Sequence, residues 1–188
     1  MVLHMVTVEN LAQGLTAAFK HESDGRGVLE YLLKNPVTVE SLKPYLHFRE
    51  AKYTRNLIYR TPLFELLALC WEPGHQSSIH NHRGQRCWMA IAQGRMLVQN
   101  FRVVQNSSDS DYCELERTTS VIMDADHPCS VDPEEPIHLV ANPASFGSRA
   151  VTLHVYSNPY DTCEVYDLKA KRRAEVGMVN TSEYGVLL

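Results

Sequence analysis

The chain contains two histidines, His80 and His82, that are separated by one residue in the segment Ser77-Ser78-Ile79-His80-Asn81-His82. Side chains two residues apart on a β-strand point to the same face, so on a strand both imidazoles can reach one point. Two imidazoles that converge in this way can bind a transition metal. Such pairs also occur on solvated strand faces, so the pair alone leaves both interpretations open.

The residues around this pair resemble the metal-binding motifs of the cupin superfamily. Their spacing is that of the first motif, except that Cys87 stands where a glutamate is usual. A second segment, Pro136-Ile137-His138-Leu139-Val140-Ala141-Asn142, resembles the second motif with its His-x-x-x-Asn ending. It adds a third ligand from a distant strand, as an open metal site with three protein ligands requires. We therefore predict a metal ion bound by His80, His82 and His138.

The cysteine at position 87 changes what such a site would bind. Three neutral imidazoles leave a divalent ion with its full positive charge and with open positions. Such a centre favours an anionic, chelating substrate such as a thiolate. The alternative is that Cys87 acts as a fourth ligand, which would close the site and make it structural zinc.

Beyond the metal motifs, the chain resembles the cysteine dioxygenases, a family within the cupin superfamily, over residues 53–167. The resemblance implies an enzyme that adds both atoms of O2 to the thiol of L-cysteine, giving cysteine sulfinic acid in cysteine catabolism. It argues against a closed zinc site. The matching stretches occur in the family's order and are Tyr53-Thr54-Arg55-Asn56-Leu57, Cys70-Trp71, Gly74-His75, Ser77-Ser78-Ile79-His80 with His82 and Cys87, Ile137-His138, Leu153-His154-Val155-Tyr156-Ser157 and Asp161-Thr162-Cys163.

The resemblance also implies what the metal is and how the substrate is bound. The histidines His80, His82 and His138 resemble the ligands of a mononuclear non-haem Fe(2+). Arg55 resembles the arginine that binds the substrate carboxylate, with Tyr53 as a further residue for that group. A guanidinium fork matches a carboxylate with two hydrogen bonds and stays charged at any working pH, which suits this role.

Tyr156 and Cys87 resemble the pair that a thioether bond joins in many members of the family. In Val151-Thr152-Leu153-His154-Val155-Tyr156, polar and apolar residues alternate, so Thr152, His154 and Tyr156 share one strand face. A polar face inside a small barrel is expected to line a cavity. We expect these three side chains to form a hydrogen-bond chain that orients the phenol for catalysis, with Thr152 in place of the family's usual serine.

Two other functions stay open at this point. A related thiol dioxygenase would act on 3-mercaptopropionate or another small thiol, but that subgroup carries glutamine in place of Arg55. A non-catalytic cupin would bind a metal as a sensor or store, which the combination of Arg55, Tyr156 and three histidines argues against. The resemblance also leaves open whether the thioether forms and whether the Asn158–Pro159 bond, at a position that can be cis in the family, is cis here.

The elements that must position these residues follow from hydrophobic periodicity. Apolar residues at three- and four-residue steps predict helices over residues 8–19, 28–33 and 38–45, with Thr7 and Thr38 as N-caps. Later segments are short, rich in β-branched and aromatic residues, and separated by turn residues, which indicates an antiparallel sandwich or small barrel. The predicted strands are residues 55–60, 63–71, 88–92, 96–104, 119–123, 137–141 and 151–156.

We therefore expect one mostly β domain over residues 1–188. The resemblance implies a cupin, a small jelly-roll β-barrel over residues 52–168, with a helical N-terminal segment over residues 1–50 and a tail over residues 169–188. We interpret the basic cluster Lys169, Lys171, Arg172 and Arg173 in this tail as solvated surface.

Composition limits the partners and the compartment. The net charge of −4 argues against nucleic acid, and no apolar run is long enough to span a membrane. Five scattered cysteines do not form a disulfide framework, which favours the reducing cytoplasm. We expect a monomer whose partners are L-cysteine and O2.

Overall fold

Helices form the N-terminal part of the computed structural model, which describes residues 5–21, 25, 27–131 and 136–188. The predicted N-cap at Thr7 is confirmed, because the backbone N–H of Asn10 donates to Thr7 Oγ1 at 3.3 Å. Thr38 also precedes a helix, but its hydroxyl donates to Ser41 Oγ at 3.0 Å and makes no hydrogen bond to the helix backbone. The helical elements of this part are α1 (Val8–His21), α2 (Val28–Lys34), α3 (Val39–Leu42) and a 3-10 helix over Lys43–Tyr45; a second 3-10 helix, Ala144–Phe146, lies later in the chain.

These helices cover one face of a β-sheet. In the apolar stripe of α1, Leu11, Leu15 and Phe19 are at most 2% exposed. Phe19 stacks on Phe64 with ring centroids 4.8 Å apart. None of the helices that the structure describes is long and apolar enough to cross a bilayer.

The described residues form thirteen strands in two sheets. The seven-stranded sheet has the order β13-β12-β1-β2-β9-β4-β7, and the six-stranded sheet has the order β11-β10-β3-β8-β5-β6. The strands are β1 (Thr54–Arg60), β2 (Phe64–Trp71), β3 (Ile79–His80), β4 (Cys87–Gln93), β5 (Met96–Asn106), β6 (Cys113–Met123), β7 (Cys129–Ser130), β8 (Ile137–Ala141), β9 (Ala150–Ser157), β10 (Thr162–Asp167), β11 (Arg172–Gly177), β12 (Ser182–Glu183) and β13 (Val186–Leu187).

The two sheets face each other around a second core. Every residue of β2 and β9 is buried, because the helices cover one face of these strands and the second sheet covers the other. Leu67 and Met89 on the first sheet pack with Met96 and Val140 on the second. The interior between the sheets is where the chemistry-bearing side chains lie. The predicted fold class, a mostly β jelly-roll barrel with a short helical N-terminal segment, is confirmed.

All seven predicted strands are present, although β6 begins well before residue 119. The strands after residue 160 were not predicted, and β11 shows why: most of its residues are exposed, so alternation of apolar and polar residues is absent. The basic cluster beside it is surface, as predicted, and its charges pair with acidic side chains. Lys171 Nζ lies 2.7 Å from Glu114, and Arg172 Nη1 lies 3.5 Å from Asp111.

The C-terminal residues complete the sheet beside Arg55. The short strand β12 pairs in parallel with β1, so that Asn56 lies opposite Ser182. Two hydrogen bonds reinforce this pairing: Thr181 N–H donates to the Arg55 carbonyl at 2.7 Å, and Ser182 Oγ donates to Asn56 Oδ1 at 2.9 Å. The backbone of Arg55 is therefore held from both sides, by β2 and by the tail.

Candidate metal centre and substrate cavity

Three histidine side chains converge between the two sheets. One ligand atom from each of His80, His82 and His138 lies within 4.8 Å of the others, and the ring centroids are 4.8–5.0 Å apart. His80 ends β3 and lies directly opposite His138 on β8. The prediction that one strand carries both His80 and His82 is wrong, because β3 ends at His80. The turn that follows brings His82 to the same point, and Asn81 fixes this turn by donating to Glu164 Oε2 at 2.7 Å.

The ring nitrogens of this cluster fit a metal ion. His80 Nδ1 donates to the Ser78 carbonyl at 2.9 Å, so its Nε2 presents a lone pair. Both ring nitrogens of His82 and Nδ1 of His138 are buried without a hydrogen-bond partner among the described residues. Buried polar atoms are almost always paired, and each neutral imidazole has one unprotonated nitrogen whose lone pair a divalent metal ion would satisfy.

Burial keeps these ligands neutral, which is the form that binds a metal. It lowers the pKa of His80 to about 4. The pKa values of His82 and His138 also lie well below the ordinary value, first because of burial and then because of the neighbouring imidazoles. Behind them, burial and the charge of Arg55 lower the pKa of His154 to about 3.

These four histidines make the stability of the metal-free protein depend on pH. Their pKa values are below the unfolded value of about 6.5, so the unfolded chain binds more protons as the pH falls from 6.5 towards 4. We expect each histidine to remove about 1 kcal/mol from the unfolding free energy between pH 7.5 and pH 5.5. Urea titrations at both pH values measure this loss. The variant His154→Gln should lose less unfolding free energy between the two pH values than the wild type does. Equal stability at the two pH values would contradict the neutral buried cluster.

A chain of hydrogen bonds connects the core to the hydroxyl of Tyr156. Trp71 Nε1–H donates to Thr152 Oγ1 at 3.0 Å, Thr152 Oγ1 lies 2.8 Å from His154 Nε2, and His154 Nδ1 lies 3.0 Å from the Tyr156 hydroxyl. The indole N–H can only donate, so Thr152 Oγ1 accepts from Trp71. Among the described residues, the acceptor available to the Thr152 proton is His154 Nε2, so Thr152 donates to that atom. Nδ1–H of His154 then donates to the Tyr156 oxygen. The Tyr156 proton is left free to point elsewhere.

A cavity of about 120 Å³ opens beside the histidines. This volume equals the share of about four water molecules in the liquid, so the space suits a small molecule. Its lining residues are Tyr53, Arg55, Ser78, His80, Tyr156, Tyr160, Cys163, Val165, Val176, Gly177 and Met178.

Arg55 supplies the positive charge of this cavity. Its side chain is 13% exposed, and its guanidinium carbon lies 5.6 Å from the centroid of the Tyr156 ring. Burial opposes the charge, but the phenols of Tyr156, Tyr53 and Tyr160 raise the Arg55 pKa above its ordinary value. The Nε atom of Arg55 has no hydrogen-bond partner among the described residues. Tyr53, which stacks on Trp71 at 4.3 Å, forms the adjacent wall.

Tyr160 is a cavity residue that sequence reasoning missed. Its ring lies 5.5 Å from that of Tyr156 and 6.5 Å from that of His82. It follows the Asn158–Pro159 bond, which is trans, and Asn158 has a left-handed φ of 49°. The signal available was its position inside the family-like stretch between Ser157 and Asp161. A loop carries no periodicity to show where its side chains point.

Cys87 contacts Tyr156 and lies outside the histidine cluster. The two residues are directly opposite each other on β4 and β9, where Cβ atoms are about 5 Å apart. Burial raises the pKa of the Cys87 thiol well above its ordinary value. Among the described residues, the ligand atoms that converge within 4.8 Å belong to the three histidines and do not include Cys87 Sγ. The arrangement favours a site with three histidine ligands over a closed site with four ligands.

Comparisons with known proteins agree with this geometry. The sequence model of the family described as cysteine dioxygenase type I matches residues 24–169. Cysteine dioxygenase type 1 of Rattus norvegicus is 32% identical over 163 residues, which cover 86% of this chain and 77% of the rat protein. The Bos taurus protein of the same name is 30% identical over 190 aligned positions, covering 98% of this chain and 91% of the bovine protein.

Proposed function

The chain belongs to the cysteine dioxygenase type I family, and we propose that it adds both atoms of O2 to the thiol of free L-cysteine, giving cysteine sulfinic acid. Family membership makes it a thiol dioxygenase. The choice of L-cysteine is carried by one observation: the guanidinium of Arg55 lines the same small cavity as His80 and Tyr156. A substrate in this cavity would lie between the metal centre at one end and a guanidinium that binds its carboxylate at the other.

We propose that His80, His82 and His138 hold Fe(2+) as three neutral ligands. When bound, ferrous iron supplies the redox chemistry between O2 and a thiol, and it favours the thiolate form of the substrate. The histidines also fix the position of the centre, because β8 supplies His138 while β3 and the turn after it supply His80 and His82.

Arg55 and Tyr53 then bind and orient the substrate. The guanidinium donates two hydrogen bonds to the carboxylate, and the Tyr53 wall limits where that group can lie. With the carboxylate held, the sulfur has few positions left in a cavity of about 120 Å³. Orientation of this kind is the main contribution that a protein can make to a reaction between two small molecules.

Tyr156 provides a proton donor at the same cavity. Because His154 donates to its oxygen, the phenol proton is directed away from the relay and is available to the substrate or to O2. Burial raises the Tyr156 pKa well above its usual value, so the hydroxyl keeps this proton. In this proposal Thr152 and His154 position the phenol.

Three thiols test the assignment. L-cysteine has both an amine and a carboxylate, 3-mercaptopropionate lacks the amine, and cysteamine lacks the carboxylate. We expect the iron-loaded protein to consume O2 fastest with L-cysteine and to form a product that is two oxygen atoms heavier. Metal-free protein is the control. Faster oxidation of 3-mercaptopropionate would indicate the related dioxygenase, and no uptake with any thiol would indicate a non-catalytic cupin.

We also propose that Cys87 Sγ forms a thioether with a ring carbon of Tyr156, with O2 as the oxidant. Because the bond removes two hydrogen atoms, the intact mass should fall by about 2 Da after aerobic turnover. Mass spectrometry of the denatured, reduced protein before and after turnover measures the change. Cys87→Ser should keep its calculated mass, and an unchanged wild-type mass after prolonged turnover would contradict the bond.

The proposed setting is a cytoplasmic monomer. The support for the compartment is the state of the cysteines: Cys70, Cys87, Cys113, Cys129 and Cys163 are all free. A reducing compartment keeps such thiols, and the substrate thiol, unoxidised.

A further inference from the structure

A buried glutamate lies behind Arg55 on the inner face of β2. The inward-facing residues Leu67, Leu69 and Trp71 of this strand are apolar and belong to the core between the sheets. Glu65 continues the same face and is only 3% exposed. Its Oε1 atom has no hydrogen-bond partner among the described residues. A buried carboxylate is costly, so a purely structural position would favour an apolar residue here.

Two arginines face this carboxylate. Arg55 Nη2 lies 4.0 Å from Glu65 Oε1, and Arg60 Nε lies 3.7 Å from Glu65 Oε2. Arg55 and Arg60 are five residues apart, so on a regular strand they would point to opposite faces. A β-bulge between Leu57 and Tyr59 changes the alternation and places Arg60 opposite Glu65. The backbone irregularity thus brings a second cation to the carboxylate.

Arg60 also connects Glu65 with the loop that carries Tyr160. Arg60 Nη2 also lies 2.9 Å from Asp161, the neighbour of Tyr160 in sequence. On the other side, Glu65 lies directly opposite Tyr156 in the pairing of β2 with β9. Arg55 therefore lies between the phenols of the cavity on one side and Glu65 on the other, and Glu65 also faces Arg60.

We propose that Glu65 is the positioning residue for Arg55, an inference that rests on the proposed function. The carboxylate attracts one edge of the guanidinium from outside the cavity and holds the other edge towards the substrate. An arginine side chain that is already oriented before the substrate arrives binds it more tightly, because that side chain loses less conformational freedom on binding. Burial raises the pKa of the Glu65 carboxyl, and the charges of Arg55 and Arg60 oppose that rise.

The variant Glu65→Gln keeps the size of the side chain and removes its charge. We expect the KM for L-cysteine to rise about 10-fold while kcat changes by less than about twofold, because binding of the carboxylate is impaired and the chemistry is not. The inhibition constant of cysteamine against L-cysteine should not change, since cysteamine has no carboxylate. A general structural defect would affect both thiols. The matched control is Glu72→Gln, which removes a carboxylate paired with exposed Arg149 at 2.6 Å.

A second measurement does not depend on activity. In metal-free protein, the Nε–H resonance of Arg55, assigned by its absence in Arg55→Lys, should be sharp in the wild type and in Glu72→Gln. It should be broadened or lost in Glu65→Gln. An unchanged resonance together with an unchanged KM would overturn the inference. If wild-type protein does not oxidise L-cysteine, the proposed function fails, and the resonance alone still decides whether Glu65 positions Arg55.

Discussion

Replacement of His82 by alanine is expected to abolish iron binding and to reduce O2 consumption with L-cysteine by at least about 100-fold. His82 is 2% exposed, and neither of its ring nitrogens has a partner among the described residues. Losing one of three ligands leaves a site with too few donors for the metal. Iron content by elemental analysis and oxygen-electrode rates measure the two effects.

The same variant separates a metal ligand from a structural residue. Because removal of the buried imidazole also leaves a cavity, thermal unfolding of the metal-free variant is measured in parallel, and a single cooperative transition shows that it still folds. The matched control is His127→Ala, which removes an exposed imidazole 2.7 Å from Asp124. This control should keep full iron content and activity. Full iron content in His82→Ala would show that the ligand assignment is wrong.

Replacement of Arg55 by alanine is expected to raise the KM for L-cysteine about 100-fold. Hydrogen bonds to charged groups contribute about 1.5–3 kcal/mol each, and the fork offers the carboxylate two of them. The preference for L-cysteine over cysteamine should fall by a similar factor, because only L-cysteine has the group that Arg55 binds. Initial rates over a range of thiol concentrations measure both quantities.

Two further variants sharpen this experiment. Arg55→Lys keeps the charge but loses the planar fork, so its KM should lie between those of wild type and Arg55→Ala. Arg149→Ala removes an exposed arginine that pairs with Glu72 and should behave as wild type. A KM in Arg55→Ala equal to that of the wild type would exclude the carboxylate role.

Local patterns predicted most of the scaffold. The seven predicted strands between Thr54–Arg60 and Ala150–Ser157 carry β-branched and aromatic residues between clear turn residues, and the structure forms all seven. The exposed strand Arg172–Gly177 has no such pattern, because both of its faces meet solvent. Periodicity reports burial on one face, so it cannot detect strands of this kind.

Within the site, the sequence predicted contacts between residues that are close in the chain better than contacts between residues that are distant in the chain. The alternation in Thr152, His154 and Tyr156 is local, and the structure contains their hydrogen-bond chain. Tyr160 and Glu65 were missed, because each reaches the cavity region through features that no pattern encodes. Tyr160 depends on the path of a loop, and the charge partners of Glu65 depend on a β-bulge.

The pairing of the C-terminal strand with β1 has a consequence for aggregation. An unpaired strand edge offers a row of N–H and C=O groups to other chains, and β1 would present such an edge if Ser182–Glu183 did not cover it. The exposed edge would include the backbone of Arg55, whose carbonyl now accepts from Thr181. The C-terminal segment therefore moves the unpaired edge from β1, which is seven residues long, to β13, which is two residues long, and it fixes the register of the backbone at Arg55.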